Sequence, residues 1–353
     1  MKIIISRTDN LGDVILTLPV AGVLKSHFPD CHIIFLGKSY TRPIIEACKF
    51  VDEFWDKEEI LAGLGSITSG KQTNRDDPGY KFDIRSVDAI IHIFPDKEIC
   101  RWAKIAGIPL RISTSHRWYS WLYCNKRVHY SRKKSNLHEA QLNLKLLAPL
   151  GISNTYSQTE IPQFYGFETH NALNVDSGNP QPASVFRLIL HPKSKGSARE
   201  WGLDNFSELI GLLPASQFQI FITGTKEEGS QMQAFLQKHH NRITDLTGKL
   251  SMDELISFIG SCDGMVAAST GPLHMAAALG KYAIGLYSPM RPIFPQRWAP
   301  LGAHAAYFVL EKKCEKCRKS NDCECIRSIR PQEVAMKLQI AKKERQEKKG
   351  SAK

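Results

Sequence analysis

Apolar positions in this chain come as short unbroken runs that alternate with stretches of helical spacing. Residues 2–6 form one such run, brief enough for a buried strand, and 8–13 carries turn and cap residues. Over 14–27 the apolar residues Val14, Leu18, Ala21 and Leu24 recur at helical intervals, with Pro19 predicting a kink or break near the start. Pro29 and Asp30 mark a turn, and 31–36 is a second strand closed by Gly37. A strand–helix–strand unit of this kind implies a parallel sheet with a right-handed crossover. The alternation predicts further strands at 51–55 and 87–94 and helices at 100–106 and 137–147, with a polar loop over 65–80. Residues 153–182 are polar and scattered, which suits a linker.

A second alternation follows. Strands are predicted at 186–190, 218–223, 264–268 and 282–287, and helices at 204–213, 226–239, 251–261 and 272–279. Ser251 with Glu254 three residues on has the pattern of a capping box. The chain thus reads as two α/β domains, 1–170 and 183–330, followed by a helix and basic tail at 331–353. Open sheets of this type bind ligands beyond the carboxyl ends of their strands, so two facing sheets would hold a ligand in a cleft between them.

Composition narrows the class. The 353 residues are 42% hydrophobic and 23% charged, which excludes a disordered or fibrous chain. No apolar run reaches the length of a membrane-spanning helix, and residues 3–5 are too short for a signal-peptide core. Of nine cysteines, four fall within 314–325; the other five are expected to be reduced thiols of a cytosolic protein. The formal net charge of +12 fits either plain solubility or an anionic ligand, and charge alone does not choose between them.

Three constellations follow predicted strands. Residues 7–13, RTDNLGD, place Gly12 where the backbone can approach closely or take positive φ, and Asp13 at the start of a helix whose dipole favours its anion. Asp13 would equally serve as a simple helix cap. Residues 191–201, HPKSKGSAREW, put Lys193, Lys195 and Arg199 with Ser194 and a glycine in one loop, a set suited to a diphosphate or to a solvated basic loop. Residues 267–274, AASTGPLH, lead from a strand into a helix through Ser269, Thr270 and Gly271, presenting free N–H groups to an anion; His274 follows and would otherwise pack in the core. Neither half has a GxGxxG or GK[ST] fingerprint.

In order and spacing, RTDNLGDVILTLP, HPKSKGSAREW, GTKEE and DLTGKLSMDELISFIGSCDGMVAASTGPLHMAAALG resemble glycosyltransferase family 9, the ADP-heptose:lipopolysaccharide heptosyltransferases, over residues 2 to about 338. The resemblance implies a GT-B fold, two Rossmann-like domains facing a central cleft, and an inverting transfer of heptose from ADP-heptose to a lipopolysaccharide core acceptor with no metal or other cofactor. It makes Asp13 the catalytic base. It places Arg199 where the family has a lysine, Glu228 (or Glu227) at the donor ribose, and Leu250 at the adenine. Lys193, Ser194, Lys195, Ser269, Thr270, Gly271 and His274 would surround the diphosphate and sugar. Ser269 stands where many members have Asp, which leaves the identity of the sugar open. Other readings are a transferase of a different nucleotide sugar and a non-catalytic sugar-nucleotide-binding module.

Two further features stand out. Residues 116–134 interleave Trp118, Tyr119, Trp121 and Tyr123 with cations that include Arg132, Lys133 and Lys134, and contain no acid. This mix suits an anionic membrane surface or a phosphorylated glycolipid, or else a packed helix with a basic face. No nucleic-acid-binding motif accompanies it. With the resemblance, it implies a cytoplasmic enzyme docked peripherally on the inner face of the inner membrane. The second feature is Cys314, Cys317, Cys323 and Cys325, spaced too tightly for an ordinary zinc ribbon, which would bind zinc, pair or stay free.

Overall fold

In the computed structural model the run KIIIS is a central strand, β1 (Lys2–Ser6), of a six-stranded sheet. The structure describes residues 1–68, 82–169, 184–311 and 322–351. Their contacts divide the chain into two units, Met1–Glu168 and Thr169–Lys353. In the first, β2 (His32–Gly37), β3 (Glu53–Asp56), β4 (Ala89–His92), β5 (Leu110–Thr114) and β6 (Lys126–Val128) join β1 in the order β3-β2-β1-β4-β5-β6. In the second, β7 (Phe186–His191), β8 (Phe218–Ile222), β9 (Ile243–Asp245), β10 (Gly264–Ala268), β11 (Tyr282–Tyr287) and β12 (Ala306–Val309) are ordered β12-β11-β10-β7-β8-β9. Every pairing is parallel. Central strands buried on both faces are near-continuously apolar: Ile3, Ile4 and Ile5 in β1, and Leu188, Ile189 and Leu190 in β7, are fully buried.

Both sheets reverse direction beside their first strand, between β1 and β4 and between β7 and β10. A crevice outside the carboxyl ends of the strands opens at such a switch point. Arg7 follows β1, and the loop after β7 begins at Pro192.

Several elements depart from the sequence reading. The first helix is broken into Leu11–Ile15 and Leu18–His27, with Pro19 in the opening turn of the second, where its missing N–H has no intrahelical partner to lose. The helix expected over 226–239 is likewise interrupted at Met232. Residues 65–68, expected in a loop, continue the helix Lys57–Thr68; the rest of that segment up to 81 lies outside the described residues. Strands β5, β6, β9 and β12 were not legible: β5 and β9 mix apolar with polar residues, β6 is largely basic, and β12 is only 4 residues long. The capping box at Ser251 is present: its hydroxyl accepts from the Glu254 N–H at 3.3 Å, and its own N–H donates to Glu254 Oε2 at 2.7 Å. The terminal helix Pro331–Ser351 is not a detached tail. Val334, Leu338 and Ala341 bury into the core of the second unit, alongside Trp201, Phe206 and Leu209. Among the described residues no helix is long and apolar enough to cross a membrane.

Candidate functional site

Arg7 leaves β1 at the switch point of the first sheet and is buried, with 2% of its side chain exposed. A buried guanidinium must be paired, and this one is surrounded by acceptors. Its Nε donates to Asp9 Oδ1 at 2.5 Å, Nη2 to Asp13 Oδ1, and Nη1 to Glu139 Oε1 at 3.3 Å and Asn143 Oδ1 at 3.4 Å. Burial alone would lower the Arg7 pKa, but the Asp9, Asp13 and Glu139 carboxylates outweigh it and raise it. Asn143 Nδ2 donates to the Leu16 carbonyl at 3.0 Å, tying the cluster to the break between the first two helices. The Thr17 hydroxyl there donates to the Asp13 carbonyl at 2.8 Å.

Asp13 is not the cap of its helix. The N-cap is Asn10, and the Asp13 carboxylate turns to Arg7 instead. Gly12 lies inside that helix and does not take positive φ. Burial pushes the Asp13 carboxyl up to about 6, and the negative neighbours Asp9 and Glu139 add to the rise, while Arg7 and Arg132 oppose it. With 14% of its side chain exposed, Asp13 still reaches solvent.

Arg132, expected on the acceptor or membrane side, belongs to this cluster, with 12% of its side chain exposed. Its Nη1 donates to Glu139 Oε1 and, at 3.1 Å, to Asn143 Oδ1; its Nη2 donates to the Ile93 carbonyl at 2.6 Å, just beyond β4. Lys133 and Lys134 are exposed as expected. Among the described residues three carboxylates, Asp9, Asp13 and Glu139, thus gather around the guanidiniums of Arg7 and Arg132. Arg7, Glu139 and Asn143 were not singled out from sequence. The last two lie four residues apart on the helix Glu139–Leu144, a spacing that puts them on one face, but nothing local ties them to Arg7, more than 130 positions away.

In the second unit the two sequence motifs converge because β7 and β10 are neighbours, His191 pairing with Ala267. Glu200, overlooked in the sequence, organises the first loop. Its carboxylate accepts from Lys193 Nζ at 2.7 Å and from the Ser194 N–H at 3.1 Å. The Ser194 hydroxyl donates to the Ala198 carbonyl at 2.9 Å. Ser194 is therefore buried and spent on loop shape, and Lys193 is already neutralised. Lys195 takes φ of +48° and Gly196 of +79°, a tight left-handed turn that leaves Lys195 exposed. Arg199 is half-buried.

After β10, Thr270 occupies the N-cap of the helix Gly271–Ala278, yet its side chain makes no capping bond. Its hydroxyl is buried and, among the described residues, has no hydrogen-bond partner. Pro272 supplies no N–H, so Gly271 and Leu273 carry the first free donors of the helix. Ser269 is half-buried and His274 buried. Past β8, Glu228 is buried in a capping box in which its Oε2 accepts from the Thr225 N–H at 2.8 Å; Glu227 beside it is exposed. Leu250 is half-buried. Buried His191, at the end of β7, shares a 2.9 Å hydrogen bond with the Thr223 hydroxyl, and its pKa is lowered by burial against the pull of Glu228 and Glu200.

The aromatic segment forms a short helix, Trp118–Tyr123, on the first unit. Trp118 is 64% exposed, Trp121 55% and Leu122 52%. Lys97 Nζ lies 5.3 Å from the Trp118 ring and the Arg127 guanidinium 4.3 Å from Trp121. Cys314 and Cys317 lie outside the described residues; Cys323 and Cys325 are buried in the core of the second unit.

Comparison with known proteins agrees with this architecture. Lipopolysaccharide heptosyltransferase 3 of Escherichia coli is 24% identical over 81% of this chain and 82% of its own. A solved glycosyl transferase family 9 structure from Veillonella parvula superposes with a TM-score of 0.75 at 18% identity, covering 97% of each chain. Escherichia coli ADP-heptose lps heptosyltransferase II gives 0.73 at 19% identity, over 98% of this chain and 100% of that one. These likenesses establish the two-sheet GT-B architecture. The sequence model of glycosyltransferase family 9 (heptosyltransferase) matches residues 103–326, and the chain belongs to that family of glycosyltransferases.

Proposed function

We propose that this enzyme transfers a heptose from ADP-heptose to an anionic lipopolysaccharide core acceptor with inversion, Asp13 acting as general base. One observation carries the reading: a carboxylate at the switch point of the first sheet is gripped by a buried arginine, has its pKa raised to about 6, and keeps partial access to solvent. A base with a pKa near the working pH combines a useful ionised fraction with driving force for proton transfer. The acceptor hydroxyl would attack the anomeric carbon from the face opposite the nucleotide and give its proton to Asp13. Arg7 holds the carboxylate in position, and the neighbouring Asp9 and Glu139 carboxylates favour a group that gains a proton.

The leaving group is a nucleoside diphosphate whose charge grows in the transition state. Lys195, Arg199, the Thr270 hydroxyl and the N–H groups of Gly271 and Leu273 would receive it. Glu228 would take the ribose and Leu250 the adenine, with Ser269 and His274 toward the sugar. Heptosyltransferases among the relatives and structural neighbours support the donor and acceptor classes. The exposed aromatic helix Trp118–Tyr123, with Lys133 and Lys134, would dock the enzyme reversibly on an anionic bilayer.

Asp13→Asn tests the reading. Turnover should fall by about 10²–10⁴-fold while calorimetric affinity for ADP-heptose stays near wild type. Full turnover in a folded variant would reject Asp13 as the base. A second reading, transfer of a different sugar, is favoured by Ser269, whose hydroxyl replaces the acid of many members; a panel of nucleotide sugars separates the two.

A further inference from the structure

A third cluster of reactive side chains lies in the first unit, apart from the residues assigned above. His92 ends β4, Cys100 lies on the helix Lys97–Ile105, and Cys124 follows the helix Trp118–Tyr123. All three are buried, and one ligand atom from each lies within 4.8 Å of the other two. Among the described residues neither ring nitrogen of His92 has a well-formed hydrogen bond, although the ring is fully buried; the Cys124 sulfur lies beside it. A buried imidazole satisfied by nothing better than a weak thiol contact is costly unless another group occupies the space.

Two sulfurs and one imidazole nitrogen are a zinc ligand set. With Zn–S bonds near 2.3 Å, tetrahedral ligand atoms sit about 3.8 Å apart, so these groups need to close by only about 1 Å. Charge favours the same occupant. Two thiolates cancel a dication, and the resulting neutral centre is tolerated in an apolar interior where an unpaired ion is not. Three protein ligands leave the fourth tetrahedral position to a small oxygen donor such as water.

We propose that His92, Cys100 and Cys124 bind one zinc ion that pins the aromatic helix Trp118–Tyr123 to β4. Binding releases the two thiol protons to solvent and changes no oxidation state. The ion would stiffen the segment that carries the exposed tryptophans. It would also steady the backbone at Ile93, whose carbonyl receives Arg132. The inference stands independently of the proposed transfer reaction.

The test uses the full-length chain carrying Cys314→Ser and Cys317→Ser, so that the cysteine-rich segment does not contribute metal. Purified from zinc-supplemented medium, this protein should hold one zinc per chain by elemental analysis. A thiol-specific mercurial should release that zinc in proportion to the thiols consumed. Cobalt exchanged into the site should show thiolate-to-metal charge-transfer absorption, weakened in Cys124→Ser and in Cys100→Ser, and both variants should lose the zinc. If neither variant folds, the mercurial titration and cobalt spectrum of the parent protein decide. A folded protein with no bound zinc overturns the proposal, as does zinc that persists in Cys124→Ser. A Cys100–Cys124 disulfide found by mass spectrometry in freshly purified protein does the same.

Discussion

At the residue scale the notable balance is between Asp9, Asp13 and Glu139 on one side and Arg7 and Arg132 on the other. Because burial raises the Asp13 pKa to about 6, the rate limited by proton abstraction should rise through that pH and level off above it. Asp9→Asn removes a neighbouring negative charge and should move this limb of the pH–rate profile to lower pH; an unmoved limb would assign it to another group. The same shift has a stability consequence. Between about pH 4 and 6 the folded chain retains a proton that the unfolded chain gives up, so the Asp13 contribution to stability falls as pH rises through that window. The proposed base is thus held ionised at some expense to folding. In the second unit, Lys193 is paired with Glu200, and the proposed role of Arg199 at the leaving diphosphate is tested separately. Arg199→Ala should cost about 3–4 kcal/mol of transition-state stabilisation, and Arg199→Lys should recover part by restoring charge without the fork. Wild-type kinetics for the alanine variant would move the phosphate site elsewhere.

At the scale of elements, two helices make opposite demands. The helix Leu18–His27 is buried through Leu24 and packs against the turn Ile161–Phe164 at Gly22. A Cβ at Gly22 would lie 2.2 Å from the Phe164 carbonyl oxygen, and backbone cannot yield as a side chain does. Gly22→Ala should therefore destabilise by roughly 1–3 kcal/mol in denaturant unfolding, although alanine is the better helix former; a stabilised variant would mean that the contact is loose. The helix Trp118–Tyr123 instead exposes its apolar groups amid cations. Trp118→Ser combined with Trp121→Ser should weaken binding to anionic vesicles at least tenfold, since each buried aromatic contributes about 1.5–3 kcal/mol, while donor affinity stays the same. Binding should also fall steeply from low to physiological salt. Equal binding to neutral vesicles would assign the positive charge to another purpose.

At the scale of the whole molecule, one unit carries the carboxylate cluster at Asp13 and the other the basic loop at Lys195 and Arg199. ADP-heptose at about 100 times its Kd should stabilise the fold by about 2.7 kcal/mol in a thermal-shift series. Transfer should continue after brief EDTA treatment if, as proposed, Lys195, Arg199 and the helix N-terminus at Gly271 supply the positive charge. A strict need for Mg²⁺ or Mn²⁺ would place the charge stabilisation on a metal.

The sequence determined the two parallel-sheet halves, the central strands and the positions of Asp13, Arg199 and Thr270 after strand ends. Buried strands and capped helices are local signals, and a ligand site at a strand end follows from fold class. Tertiary structure decided what each side chain touches. Arg7 finds Glu139 and Asn143 across more than 130 residues, Arg132 turns inward to the same pair, and Glu200 claims Lys193 and Ser194. His92, Cys100 and Cys124 meet without any recognisable spacing. Pairing of buried charge depends on which elements are neighbours in space, and that is set by strand order and helix packing rather than by any pattern along the chain.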